Sequence, residues 1–585
     1  MKWLKGYTCY LVFAFLFFGF GSSLCAQLDV KGKVMRADQN EVVPFCAIGI
    51  KSSNKGCLSN EDGDFFLKAH LEDTLVFSAI GYKKTFVPVQ EVLKQTQVFL
   101  QVSELLLQEV TVYSNNDFVY ELMGKSRKAL LNSISRSAKA YYFLETEISG
   151  QPVELLECYY SAVLNNNRIQ ELGFKNGRIG VAPFIDRYFV SLDISKAFTM
   201  LNLLYPDERM PSNPYQFNTK QVKKNYLLHL ESSYDSLQPV YIIEFIAKNT
   251  EGHSFNGKVH VLKSNFLPLK LELRIQNTTH HPFRPLFPNS KIRSASMQIN
   301  KNFEFKNDSC YVHHVDFNYK LNYDVQNQTR IVNSKGLMYF YDYHAPFYPP
   351  LFNYNTDADD YRKITSLSYN ERFWDQNTVL ENSKSMKLKR AYFEQEGLLI
   401  NYKNDSNQKQ GLQKGGFFEN NDLKWSDKTR LSIKGNGIAN DTISTVAMNG
   451  ETFRADRYAL KAGIFLDVNP VGDGLQHYST AVFNVNDSYY HLKEEATTNC
   501  FINIYFDLVE MERRKMEKEI EKNPNSWLHI KTCYTNAMLE IENTGLKYFK
   551  EVERGHNKKK LEEWNKKVLE GLEIDNLNIF KISNQ

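Results

Sequence analysis

Five short stretches of this 585-residue chain combine residue types that can do chemistry. The stretch NEDGDFFLKA, from Asn60 to Ala69, gathers Glu61, Asp62 and Asp64 around Gly63. A helix-loop-helix calcium loop needs oxygen ligands at its first, third, fifth and last positions, with glycine at the sixth. With Gly63 as the sixth, the first position is Leu58 and the last Ala69, and neither can coordinate a cation. Asp62-Gly63 between two strand patterns instead predicts a tight hairpin with Gly63 at positive φ. Gly124-Lys125-Ser126 copies the tail of a phosphate-binding loop. The earlier glycine of that motif falls on Val119, and no strand leads into a glycine-rich turn, so nucleotide binding is not expected. His313-His314 sits in a strand pattern, where neighbours point to opposite faces, so the two are not expected to share a metal. His280-His281 lies in the proline-rich loop TTHHPFRPLFPNS with no carboxylate nearby in sequence. Asp357, Asp359 and Asp360 follow an aromatic run that ends in Pro349-Pro350, and they predict a capped helix rather than an acidic metal site.

No GxSxG elbow, HExxH helix, glycine-rich nucleotide fingerprint or metal-spaced Cys/His cluster occurs in the chain. No catalytic, cofactor-binding or metal-binding residue is therefore assigned, and no cofactor is expected. Lys and Arg number 71 against 67 Asp and Glu, a net charge of +4, which argues against nucleic acid as a partner. Cys46, Cys57, Cys158, Cys310, Cys500 and Cys533 are scattered without CxxC spacing, so isolated thiols are expected, with one bridge left open.

The elements that would position these groups are mainly strands. Lys2 and Lys5 precede an apolar run from Tyr10 to Phe20 that ends in small residues, the layout of a secretory signal cleaved after Ala26. Leu24 before Cys25 departs from the pattern for lipid attachment. No later segment supplies the ~18 apolar residues of a membrane helix. Residues 27–113 show short strands at regular spacing, a small all-β sandwich. Residues 114–380 begin with a helix over NDFVYELMGKSRKALLNSISRS and continue as long alternating strands, an antiparallel β-rich domain forming a curved sheet or half-barrel. A polar linker is expected over 381–414. Residues 415–585 form an α+β domain whose amphipathic helices include FINIYFDLVEMERRKMEKEIEK.

The segments VKGKVMRADQNEVVPFCAIGI, SNEDGDFFLKA, TLVFSAIGYKKTFVPV and LLLQEVTVYS resemble the carboxypeptidase-regulatory-like domain of exported Bacteroidetes-type proteins. The resemblance implies a transthyretin-like β-sandwich without catalytic residues, hence no peptidase. That domain also heads TonB-dependent transporters, whose large closed barrel the roughly 470 remaining residues cannot easily supply. The pieces LKWSDKTRL and IYFDLVEMERRKM resemble exported zinc-protease domains, which carry HExxH on this helix. The matching positions here are Phe501, Ile502 and Tyr505, none of which binds zinc, and no histidine in the chain is followed by glutamate. The reading is a non-catalytic exported envelope scaffold or binding protein, periplasmic or outer-membrane associated, with a protein or glycan partner. The alternatives are an envelope hydrolase whose carboxylates meet only in three dimensions, and an accessory subunit of an outer-membrane transport system. Intact mass of the exported protein tests the first step: the mature chain should begin at Gln27, whereas an acylated Cys25 would contradict the signal reading.

Overall fold

The computed structural model describes residues 27–582 apart from 54, 104–116, 185–186, 235–238, 250, 286, 288, 307–308, 344, 353–358, 368, 404–421, 441–444, 449–450 and 455–457. The signal segment 1–26, the LLLQEVTVYS segment, Asp357 and residues 404–414 of the expected linker lie outside the described residues. The chain forms two compact units, one comprising Met1–Glu104 with Gln376–Ser385 and the other Leu105–Asp375 with Met386–Gln585.

The first unit is a β-sandwich. Its three-stranded sheet orders Asp64–Ala69, Leu28–Arg36 and Gln97–Leu100, and its four-stranded sheet orders Gly56–Leu58, Ala47–Ile50, Thr74–Ser78 and Thr85–Pro88. Alternation sends Val30, Val34, Ile48, Phe65, Leu75 and Phe77 into one core, where the Phe65 and Phe77 rings meet edge to face. The acidic stretch is the expected hairpin, with Gly63 at φ 78°. Asn60 Oδ1 accepts from the amides of Asp62 and Asp64, both at 2.9 Å, which fixes the turn. The turn and its acidic side chains then hold an extended segment that the sequence does not announce. Leu58 N–H donates to Val379 O, Asn60 Nδ2 to Glu381 O, Ser383 Oγ to Glu61 Oε1 and Lys384 N–H to Asp62 Oδ2. The carboxylates around Gly63 thus serve a polypeptide segment that returns from over 300 residues later.

In the second unit an eleven-stranded antiparallel sheet carries the architecture. Seven strands from Tyr226–Tyr234 to Gln328–Tyr341 follow one another, and then Arg136–Ile148, Gln151–Leu164 and Ile169–Val181 continue the sheet beside the last of them. Leu399–Ile400 adds to Ile169–Val181 at the far edge. Residues expected as linker therefore contribute a helix, Lys384–Gln395, and a strand, because Met386 and Phe393 are apolar enough to be buried. The opening helix is Asp117–Leu131, shorter than expected, since residues from Arg136 onward join the sheet. One face of the sheet is apolar and lies against Asp117–Leu131, Leu192–Thr199 and the segment 201–226. The C-terminal portion packs three strands, Asp422–Lys424, Gly474–Asn484 and Ala462–Val471, against helices Thr498–Ile520, Trp527–Val552 and Lys558–Leu572. No described helix is long and apolar enough to cross a membrane.

Two glycines of the sandwich separate backbone strain from crowding. Both Gly63 and Gly81 hold positive φ, but a Cβ on Gly63 would meet Val34 O at 2.7 Å while one on Gly81 would meet nothing within 4 Å. Gly81→Ala should cost about 1 kcal/mol and Gly63→Ala about 2 to 3 kcal/mol. Chemical denaturation of the full chain, followed on the transition of the first unit, measures the difference; equal costs would contradict it.

Candidate functional site

Ionisable groups of the second unit fall into sets fixed by the period of the sheet. On the apolar face the central group is Glu154, whose residue is 0% exposed. Its Oε1 accepts from Ser191 N–H at 3.0 Å, and its Oε2 accepts from Ser191 Oγ at 2.6 Å and Thr146 Oγ1 at 2.9 Å. Because Thr146 Oγ1 donates to the carboxylate, it accepts a hydrogen bond from Ser334 Oγ at 2.6 Å. Ser195 Oγ donates to Ser191 Oγ at 3.2 Å and so accepts from Tyr319 Oη at 3.0 Å. Two hydroxyl chains thus converge on one carboxylate, beside Tyr142. Burial pushes its pKa up to about 6, against the hydrogen bonds from Ser191 and Thr146. Such a buried, shifted carboxyl is a site candidate in physical terms. Sequence alternation places Glu154 inward, but the run QPVELLECYY gives no sign that this acid lacks a basic partner.

Two other buried carboxylates, Glu157 and Asp360, are paired with basic side chains. Arg178 grips Glu157 with two bonds, 2.7 and 2.9 Å, and Tyr141 Oη donates at 2.9 Å. Burial pushes that carboxyl up, but the charge and hydrogen bonds of Arg178 outweigh it and the pKa lies below the usual value. The guanidinium itself lies 3.9 Å over the Trp374 ring. Asp359 caps Asp360–Ser366 through Arg362 N–H, as expected. Asp360 takes Lys363 at 2.9 Å, Tyr160 Oη at 3.0 Å and the ammonium of Lys196.

The histidine pairs divide. His281 packs against Phe283 and His280 against His253. His313 and His314 overturn the expectation that they point apart. Asn302 faces His314 across the sheet but Phe303 faces Val312, so His313 is the extra residue of a β-bulge. The bulge breaks the alternation and brings both rings together, with Nδ1 to Nδ1 at 2.9 Å. Glycine and proline, which often announce a bulge, are absent from this part of the strand, so the sequence held no signal for it. Gly124-Lys125-Ser126 lies inside a helix; Ser126 Oγ bonds Tyr215 Oη at 2.8 Å and Lys125 covers the Phe266 ring, a packing role.

In the C-terminal portion, Phe501 and Ile502 are fully buried and Tyr505 nearly so. Phe501 stacks on Tyr548, and Tyr505 lies against Phe549. Two residues further along the helix, Asp507 accepts from Trp425 Nε1 at 2.7 Å, Asn576 Nδ2 at 2.7 Å and Arg430 Nη1 at 3.2 Å, and burial raises its pKa. Ser479, His477 and Glu517 also meet, but both the serine hydroxyl and His477 Nε2 bond to the same carboxylate. A nucleophile triad needs the imidazole between the other two, so this cluster cannot activate Ser479. Among the described residues no group of three or more His, Cys, Asp or Glu is placed to hold a metal ion. All six described cysteines are free.

Comparisons with known proteins reach only part of the chain. Residues 30–112 match the model of the CarboxypepD_reg-like domain, so the N-terminal sandwich has that domain's fold. No curated protein matches. Among solved structures, the MucA/MucB complex of Pseudomonas aeruginosa aligns over 37% of this chain and 93% of its own, at 13% identity and a TM-score of 0.16. A LolA superfamily protein from Nitrosomonas europaea aligns over 38% and 94%, at 13% identity and a TM-score of 0.15. Lipovitellin aligns over 44% and 32%, at 9% identity and a TM-score of 0.16. At such TM-scores these likenesses fix neither fold nor function.

The Glu154 network has a signed pH signature. A carboxyl whose pKa is 4.5 unfolded and about 6 folded gives stability that is complete below 4.5 and is lost as pH rises through 6. The loss is about 2 kcal/mol between pH 4.5 and 7. Glu154→Gln should remove that part of the pH dependence, which urea denaturation of the second unit at the two pH values measures; unchanged slopes would contradict the buried, unpaired carboxyl.

Proposed function

We propose that the protein is a non-catalytic, exported binding or scaffold protein of the cell envelope. One observation carries this reading: the carboxylates Glu154, Glu157, Asp360 and Asp507 are each at most 5% exposed and accept from donors of the protein itself, so none is open to a substrate. A general acid or nucleophile must keep one lone pair or proton for a substrate. The position that would hold zinc in a related protease helix is filled by aromatic side chains, and an open coordination site is incompatible with that filling. The leader pattern of residues 1–26 and the non-catalytic character of carboxypeptidase-regulatory-like domains support export and a docking role. The partner is then a protein or glycan of the envelope rather than nucleic acid, with peripheral attachment to the outer membrane. Docking on an outer-membrane transport system is one form of this role, and co-fractionation with membranes distinguishes it from a free periplasmic protein.

A second reading, an envelope hydrolase, is favoured by the 2.6 Å bond from Ser191 Oγ to Glu154. Against it, both residues are at most 1% exposed, so substrate cannot reach the hydroxyl. Purified mature protein should hydrolyse neither casein, nor a p-nitrophenyl ester, nor peptidoglycan above background. Turnover that disappears in Glu154→Gln or Ser191→Ala variants that still fold would establish the hydrolase instead.

A further inference from the structure

The bulge at His313 builds something that regular alternation forbids, two adjacent imidazoles with converging Nδ1 atoms. Two nitrogens bound at about 2.05 Å to one ion stand about 2.9 Å apart when the angle at the metal is a right angle, and about 3.3 Å apart when it is tetrahedral. The Nδ1 atoms of His313 and His314 are 2.9 Å apart. That spacing suits neighbouring positions of a square-planar or tetragonal ion better than a tetrahedral one. The remaining surroundings are those of a ligand shell. His314 Nε2 lies 3.8 Å from Asp316 Oδ2, so a ring ligating through Nδ1 would turn its Nε2–H toward a carboxylate, the usual outer partner of a metal-bound histidine. Asp316 is held in place by Asn300 Nδ2 at 2.7 Å and Asn302 Nδ2 at 3.3 Å. Glu304, which faces Tyr311 two residues before His313, places a negative charge close enough to act on His313. Lys270 is the opposing charge, and Glu272 neutralises it at 2.8 Å. Tyr339 packs its ring against His313. Burial keeps both imidazoles neutral, the state a ligand requires.

We infer that His313 and His314 chelate one transition-metal ion through their two Nδ1 atoms, and that copper(II) is the ion the site selects. A tetragonal N,O environment favours copper(II) or nickel(II), and copper(II) binds more tightly at any such site. No third His, Cys, Asp or Glu closes on the pair among the described residues. The ion's remaining positions would belong to water or an incoming donor reaching it past His313, the less buried of the two residues. Without metal, one Nδ1–H donates to the other Nδ1; with metal, that proton moves to Nε2 of its own ring and no charge is lost from the protein.

Titration of the full-length mature protein with copper(II) sulfate, in glycine buffer to suppress weak surface binding, tests the assignment by electron paramagnetic resonance and calorimetry. One equivalent should bind, with superhyperfine structure from two nitrogens. His313→Gln and His314→Asn should each weaken binding at least ten-fold, whereas His280→Gln and His281→Gln should leave it unchanged. His313→Gln decides the matter if His314→Asn does not fold. Absence of a tight equivalent, or copper binding that survives His313→Gln or depends on His280 or His281, would overturn the assignment.

Discussion

A single ammonium group ties the second unit together. Lys175 has a side chain with no exposed surface, and its Nζ donates to Asp467 Oδ1 at 2.5 Å, Val468 O at 2.9 Å and Tyr348 O at 2.9 Å. All three of its protons are therefore used, which is the condition for burying a charge without a large penalty. Burial lowers the lysine's pKa, and Asp467 opposes that shift. The two ends of this contact belong to the eleven-stranded sheet and to the strand Ala462–Val471 of the C-terminal portion, which explains why these regions form one compact unit. Nearby, Tyr348 stacks on Trp527 and Leu351 pairs its backbone with Leu466, so the segment after the last long strand is held by the same junction.

Lys175 reaches this position because it is a bulged residue: Phe174 faces Tyr160 and Asn176 faces Tyr159, leaving Lys175 without a partner across the sheet. His313 is placed by the same device. A two-residue period assigns each side chain to one face, and an extra residue is the cheapest way to aim a polar group out of that order. Val153 forms a third bulge, immediately before Glu154, where Glu154 faces Thr146 but Pro152 faces Glu147. Three of the sheet's bulges thus sit at or beside an ammonium, an imidazole pair and a buried carboxyl. The outer face around them is sealed by aromatic side chains, with Phe347, Phe373 and Trp374 all meeting the Tyr159 ring.

Local chemistry made the turn at Gly63, the cap at Asp359 and the apolar stripe at Phe501 legible in the sequence, because each depends on neighbours within a few residues. Strand content was legible for the same reason: alternation in VHVLKSNFLPLKLELRIQN or ASMQINKNFEF is a local pattern. What could not be read depends on pairing across long distances. The strands from Arg136 to Val181 dock beside Gln328–Tyr341, which is not their sequence neighbour, and Val379–Lys384 returns to the first unit. The partnering of Glu154 with hydroxyls rather than a base, and the convergence of His313 with His314, follow from register. A one-residue change in register is invisible in composition and decides which groups meet.

The charges buried in this unit act as structural ties rather than reactive groups. A double-mutant cycle on Lys175 and Asp467 tests it most directly. Lys175→Met and Asp467→Leu should each destabilise the second unit by about 3 to 5 kcal/mol, because each leaves one buried charge unpaired, while the double variant should recover most of that loss. Single costs below about 0.5 kcal/mol that simply add would contradict the claim, since a contact the fold depends on cannot be removed one partner at a time without consequence.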